Sequence, residues 1–276
     1  MSAAAVWQEV GEGVFRRRYR ALDLNVGAVI GDDAVLVVDT RSWRAEAEEL
    51  LADLRALTPL PWTHVVNTHD HFDHCFGNEV FERAELWSHQ RCAEMLRSHG
   101  DLLRREVIER APDWAEHLAA VRIVPPDHTF ADRATLEVGR RRVDLLHLGR
   151  GHTDNDLVVS VPDAGVVFGG DLVEEGAPPA FSDAWPLEWP KTVDRLVAIG
   201  ARVVVPGHGD VLDPDGVRAQ AAEQHAMAGL CRSVLRGELR AEDAVGRGPY
   251  GPETVRTALD RARVTSGAID ATGARL

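Results

Sequence analysis

At 276 residues, with 45% hydrophobic and 27% charged side chains, the chain is long enough to bury a substantial core and has the balance of a globular protein, not of a disordered one. Its longest apolar runs, such as residues 34–38, fall far short of the roughly 20 residues that a membrane span needs. The formal net charge of −13 disfavours a face that embraces a polyanion, so neither a membrane nor a nucleic acid is an expected partner.

In chain order, residues 26–30 and 34–38 are apolar runs separated by Gly31-Asp32-Asp33, the signature of two strands joined by a turn. Leu50, Leu51, Leu54 and Leu57 then recur at helical spacing, which predicts a helix over 41–57 with Ser42 as its N-cap. Residues 61–67 form a short apolar strand, and strand, helix, strand suggests an α/β unit. Residues 88–120 read as polar helix with a break near Gly100. Strands return at 135–138, 143–148, 157–161 and 166–168. A loop over 174–189 follows, then a helix over 192–199, a strand over 203–205 and a helix over 217–235. Beyond it, Gly246, Gly248, Pro249, Gly251 and Pro252 punctuate a tail that holds one short helix, 253–263. The arginine runs 15–20 and 140–142 read as solvated strand faces and turns.

The dense chemical signal is Thr68-His69-Asp70-His71-Phe72-Asp73-His74, on a loop where the strand of 61–67 ends. Imidazole and carboxylate are the usual ligands of zinc and related divalent ions. His69 and His71 are two residues apart and point to the same side of an extended stretch, whereas Asp73 and His74 are adjacent and diverge. One loop can therefore offer ligands to two ions lying about 3.5–4 Å apart. Further candidates follow three later strands: His152, Asp171 and His208, each with glycine nearby to let backbone approach a crowded site. Asp39 ends the strand of 34–38, and reads equally as a strand-end cap or as a carboxylate that orients the ligands from behind.

These pieces, Asp39-Thr40, the His69-x-His71-x-Asp73-His74 loop with Gly77, then His152, Asp171 and His208 in order, resemble the metallo-β-lactamase superfamily. The resemblance implies an α/β fold, a four-layer αβ/βα sandwich with the metals at one edge between the sheets. It implies that His69, His71 and His152 hold one metal, that Asp73, His74 and His208 hold the other, and that Asp171 bridges both together with a hydroxide. That hydroxide would attack a carbonyl or phosphoryl centre, and Asp73 would also steer a proton to the leaving group. The expected cofactors are two divalent ions, zinc first, with iron and manganese compatible with the same ligands.

Two segments, 149–159 and 168–171, are similar to the true β-lactamases that carry cysteine at the position of Asp171. Those enzymes lack a histidine at the position of His74 and carry lysine where this chain has Glu174. The pairing of His74 with Asp171 is instead similar to glyoxalase II, lactonases and thioesterases. The expectation is thus a metallohydrolase that cleaves a small ester, thioester or lactone. The alternatives are a mononuclear iron persulfide dioxygenase keeping His69, His152 and Asp171, and a phosphodiesterase or nuclease.

The expected organisation is a metallo-β-lactamase-like domain over 1–235 with a short helical tail, 236–276, packed on it. Residues 1–9 show neither a basic region nor an apolar core of a signal peptide, and the three cysteines, Cys75, Cys92 and Cys231, have no framework spacing. Both point to a cytoplasmic protein, and the metallohydrolase reading to a small-molecule substrate. His64, His89, His99, His117, His128, His147 and His225 are set aside as ligands, and Trp114, Trp185 and Trp189 stand between pocket lining and core.

Overall fold

The computed structural model describes residues 7–267. Residues 1–6, on which the N-terminal reading largely rests, and the tail's last residues, 268–276, lie outside the described residues. The first sheet takes β1 (Gln8–Gly11), β2 (Val14–Tyr19), β3 (Leu24–Ile30), β4 (Val35–Val38), β5 (Trp62–Val66), β6 (Glu85–His89) and β7 (His128–Phe130), side by side in that order. It is an antiparallel meander as far as β4 and parallel from β4 onward. Parallel neighbours need long crossovers. These are α1 (Arg44–Leu57), then the short α2 (Phe72–Cys75), then α3 (Gln90–Arg110) with α4 (Ala115–Ala119).

The second sheet has five strands, β8 (Arg133–Val138), β9 (Arg141–Leu146), β10 (Val158–Val161), β11 (Val166–Gly170) and β12 (Val203–Pro206), again in chain order. Its one parallel pair, β11 with β12, is joined through α5 (Trp189–Ala198). The helices α6 (Pro214–Leu235), α7 (Ala241–Val245) and α8 (Pro252–Thr265) complete the chain.

The apolar pattern dictates the layers. In β4 all four residues are buried. Leu36 and Val38 face the core between the sheets with Leu145, Val159 and Phe168, whereas Val35 and Val37 face Leu50 and Leu54 of α1. A two-residue period with no polar side means a strand covered on both faces. By contrast β8 alternates exposed Arg133, Thr135 and Glu137 with buried Leu136 and Val138, as an edge strand should. The second sheet's outer face is covered by α5, α6 and α8 through Val193, Leu196, Met227 and Leu259. Helix, sheet, sheet, helix is thus the four-layer αβ/βα sandwich. Among the described residues no helix is long and apolar enough to cross a membrane.

Several local expectations are corrected. α3 runs unbroken through Gly100, which is buried. A Cβ there would lie 2.7 Å from Ile123 Cγ2, so the glycine serves close packing and not a break. α1 begins at Arg44 after Trp43 and has no side-chain cap; Ser42 is buried, and its amide donates to Glu46 instead. Residues 88 and 89 end a strand where helix was expected, because β6 pairs in parallel with both β5 and β7. Trp189 opens α5, fully buried, and is not loop. The tail carries α7 as well as α8.

Candidate metal centre

The ends of β4, β5, β11 and β12, and the loop between β9 and β10, meet at one edge of the sandwich. Each delivers one part of the site. β4 ends at Asp39, whose backbone takes φ +66°, a region costly for a side-chain-bearing residue. The turn aims its carboxylate at the next strand's loop. Asp39 Oδ1 accepts from the Thr68 amide at 2.8 Å, and Oδ2 accepts from Thr68 Oγ1 at 2.9 Å and lies 2.8 Å from His74 Nδ1. With Nδ1 so occupied, His74 presents Nε2 to the cluster. Asp39 therefore holds the His74 ring, a ligand candidate, from behind.

The loop after β5 is held from several sides. Asn67 Nδ2 donates to the His74 carbonyl at 3.1 Å and to Asn78 Oδ1 at 3.0 Å, and the Thr40 amide donates to the same His74 carbonyl at 2.9 Å. Gly77 has to be glycine, since a Cβ there would lie 2.0 Å from the Thr40 carbonyl oxygen. In the His152 loop, Asp156 accepts from the Thr153 amide and hydroxyl, and Asn155 Nδ2 donates to Asp70 Oδ1 at 3.0 Å, stitching the two loops together. Burial pushes the Asp156 carboxyl up to about 7, against the pull of the Thr153 bonds.

The two loops of the second sheet fit one another closely. A Cβ on Gly207 would lie 1.8 Å from Asp171 Oδ1, so only glycine before His208 leaves room for that carboxylate. His208 Nδ1 lies 2.8 Å from the Leu22 carbonyl, which turns its Nε2 inward. Asn25 Nδ2 donates to the Pro206 and Gly209 carbonyls, and Arg16 donates to Gly209 and Asp210. Arg16 is buried. It is a clamp on the His208 loop, and the expectation that the arginine run at 15–20 is merely a solvated face is corrected for it.

All seven residues named as ligand candidates come together. His69, His71, His152 and Asp171 each offer an atom within 4.8 Å of the others, and so do Asp73, His74 and His208. Asp171 lies between the groups. Its Oδ2 is 3.7 Å from His69 Nε2, 3.4 Å from His152 Nε2 and 3.3 Å from His208 Nε2, and its Oδ1 is 3.3 Å from His74 Nε2. Asp73 Oδ2 lies 3.4 Å from His208 Nε2 and 3.5 Å from His74 Nε2.

The cluster suits bound cations. His69 Nε2 and Asp171 Oδ1 are buried with no hydrogen-bond partner, a costly state that a metal would relieve. His71 Nδ1 and His152 Nε2 face each other at 2.8 Å, and His74 Nε2 and His208 Nε2 at 3.4 Å. Imidazole nitrogens converging in a buried place have little to gain from one another, whereas nitrogen and carboxylate oxygen together make a typical divalent-metal donor set.

The protonation pattern divides the histidines. Burial holds His152 down to about 4 and His69 well below the usual imidazole range. Burial also opposes the charge on the other three, but carboxylates outweigh it. Asp183 raises His71 to about 10, Asp171 raises His208 to about 9, and Asp171, Asp73 and Asp39 hold His74 well above its ordinary value. Asp171 is held well below the carboxylate range by His74, His208 and His69, despite its burial.

Asp183 was not legible beforehand. It lies in the 174–188 segment, and its Oδ2 is 2.9 Å from His71 Nε2, leaving His71 Nδ1 to face the cluster. The only sequence signal for it was that loop's nearness to Asp171. The guanidinium of Arg261, on α8, donates to the Asp183 and Ala184 carbonyls, so the tail's helix braces this loop. None of the histidines set aside joins either group; His89 and His147 stack on one another with ring centroids 4.2 Å apart. Trp189 is core, Trp114 packs on Trp43 and Phe72, and Trp185 stacks under Arg150; none lines the cleft over the cluster. Cys75 is buried, and burial pushes its thiol well above the usual range, so it is no nucleophile.

Comparison with known proteins agrees with this geometry. Residues 20–208 match the family model of the metallo-beta-lactamase superfamily. Over 117 residues the chain is 35% identical to metallo-beta-lactamase type 2 of Bacteroides fragilis, a match that covers 40% of this chain and 47% of that protein, so it spans about half of that relative's length. It is 25% identical over 255 residues to an acyl-coenzyme A thioesterase, MBLAC2, of Gallus gallus, covering 84% of this chain and 90% of that protein. A solved metallo-beta-lactamase from Pontibacter korlensis shares the fold, with a TM-score of 0.62 at 22% identity over 80% of this chain and 99% of that one. With residues 20–208 matched and His and Asp groups placed to bind metal, the chain belongs to the metallo-beta-lactamase superfamily of hydrolases, whose members bind divalent metals, typically zinc.

Proposed function

We propose that the protein hydrolyses a small ester, thioester or lactone at a centre of two divalent ions, zinc first, with iron or manganese as the other candidates. The observation that carries this reading is the position of Asp171, with one carboxylate oxygen toward His74 and the other toward His69, His152 and His208. His69, His71 and His152 would hold one ion, Asp73, His74 and His208 the other, and Asp171 both. Two ions bound there supply a hydroxide near neutral pH and a Lewis acid for the carbonyl under attack. The chain's residues do the rest. Asp39 and Asp183 hold the His74 and His71 rings in the ligating tautomer. Asp73, at the floor of the cleft, carries the proton released by the nucleophile to the leaving group.

Glu174 in place of a carboxylate-binding lysine speaks against efficient β-lactam turnover, and the thioesterase relative is compatible with ester and thioester chemistry. The complete set of seven ligands favours two ions over a single-iron dioxygenase centre. We read residues 1–235 as the catalytic domain and 236–276 as its tail, and take the cytoplasm as its compartment from the three free, buried cysteines. The test is elemental analysis of purified protein followed by a substrate panel. About two transition-metal ions per chain are expected, with turnover of p-nitrophenyl acetate, a thioester or a lactone and none of bis(p-nitrophenyl) phosphate. Fewer than one ion per chain, or oxygen uptake with a persulfide as the only activity, overturns the proposal.

A further inference from the structure

The cleft above the cluster has a volume of about 940 Å³. One wall is α3 with Phe72, where Phe72, Met95 and Leu103 form an apolar strip. The opposite wall is the 174–183 loop and the turn at Leu22-Asp23, with Leu22 exposed at the lip. Outside the seven ligand candidates, acidic side chains line both walls, Asp23, Glu106, Glu109, Glu174, Glu175 and Asp183, and buried Asp70, to which Asn155 donates, also borders the cleft. Arg110 is the one lysine or arginine in the lining, and its guanidinium sits 3.7 Å from Glu106.

Some of these charges are already answered. Asp23 pairs with Arg18 at 2.5 Å, Asp183 with His71, and Glu106 with Arg110. Glu109, Glu174 and Glu175 form no ion pair among the described residues. Glu175 accepts from the Asp210 amide, which leaves its charge in place. Glu174 is the sharpest case, since its Oε1 is buried, borders the cleft and has no hydrogen-bond partner. Ions held at the floor would be answered largely by Asp73, Asp171 and the nucleophile, so the uncompensated charge of the walls, all of one sign, acts on the remote part of whatever enters. A carboxylate or phosphate on the substrate would meet the field of Glu109 and Glu175, and the Glu174 carboxyl, which burial pushes up to about 8, is drawn toward its charged form by a neighbouring cation and away from it by an anion.

Resting on the hydrolase reading above, we propose that the cleft selects acyl compounds without negative charge, and cationic ones ahead of neutral ones. The apolar acyl part lies along Phe72, Met95 and Leu103, and the positive group lies toward Glu174, Glu175 and Glu109. Carboxylate-bearing esters and polyanionic coenzyme A thioesters are then poor substrates, and Glu174 is a specificity-determining residue. The strip and the unpaired acidic residues line the same cleft, so a short acyl chain and a nearby cation are read at once.

The test uses three acetyl thioesters on the metal-loaded full chain: acetylthiocholine, S-acetyl-2-mercaptoethanol and S-acetyl-3-mercaptopropionate. In each, water adds to the carbonyl carbon, the C–S bond breaks, and acetate, thiol and a proton result. kcat/KM is read by thiol release at low and high salt, and each value is divided by that compound's own rate of hydrolysis by hydroxide. The cation is expected to exceed the anion by roughly tenfold or more at low salt, and the ratio to shrink as salt rises. Glu174→Gln and, on the open wall of α3, Glu109→Lys are each expected to lower that ratio. Turnover of all three with a ratio near one, or a ratio unmoved by both variants, overturns the charge selection and leaves the hydrolase reading standing. Turnover of p-nitrophenyl acetate or a lactone but of none of the three thioesters overturns the charge selection alone, and no turnover of any thioester, of p-nitrophenyl acetate or of a lactone overturns both.

Discussion

The floor of the cleft and its walls are built on different principles. On the floor, the ligand candidates sit on loops that follow strands, and the first of these loops is tied from several sides, as the Asp39, Thr68, Asn67 and Asn78 bonds illustrate. Two of its glycines have no space for even a methyl group. The walls are α3 and the 174–188 loop, which meet the floor through a few contacts such as Asp183 with His71. Chemistry that needs atoms held to a fraction of an ångström is placed on over-determined strand ends, and substrate choice is left to segments that can change without disturbing it.

The severest break is His69→Ala. It removes a ligand candidate whose buried Nε2 has no hydrogen-bond partner. Turnover is expected to vanish while the far-UV circular dichroism spectrum stays native; full activity in that variant would refute the ligand role. A sharper comparison sets Asp39→Asn against Asp183→Asn. Each carboxylate orients one histidine, but Asp39 is buried and also holds Thr68, whereas Asp183 is on the loop. Asp39→Asn is expected to cost roughly 10–100-fold in metal affinity, and Asp183→Asn about tenfold at most. Metal titration with a competing chelator reads both, and a larger loss from the loop residue would reverse the picture of floor and wall.

The mildest test is of protons. In the metal-free protein, His71 at about 10, His208 at about 9 and His74, also raised, carry protons near neutral pH because that pH lies below their values. A metal needs the neutral ring, so binding expels those protons and strengthens as pH rises toward about 9. His69 and His152 are already neutral and contribute none. Zinc added to weakly buffered protein should therefore acidify the solution. A metal affinity independent of pH between 6 and 9 would contradict this.

How much was readable varies with the kind of signal. The seven ligand candidates were visible because histidine and aspartate crowd one loop and recur after strands whose apolar runs are plain. The break placed at Gly100 failed because a glycine in a helix reads the same whether it ends the helix or admits a neighbour, and Ile123, far along the chain, made the difference. Arg16 was taken for surface because charge was the sole clue, and its partners, Gly209 and Asp210, lie at the opposite end of the sequence.

By itself the amino-acid order determined the layers, through which strands are apolar on both faces, and the donor chemistry, through which side chains follow them. Only the tertiary structure decided that Asp171 stands between two histidine groups, that Asp39 and Asp183 hold the rings from behind, and that Glu174 opens unpaired into an acidic cleft. The reason is physical. Periodicity and residue type are local properties that a few neighbours express, whereas a shared carboxylate, an orienting hydrogen bond and the sign of a cleft's field depend on residues that only packing brings within a few ångströms of each other.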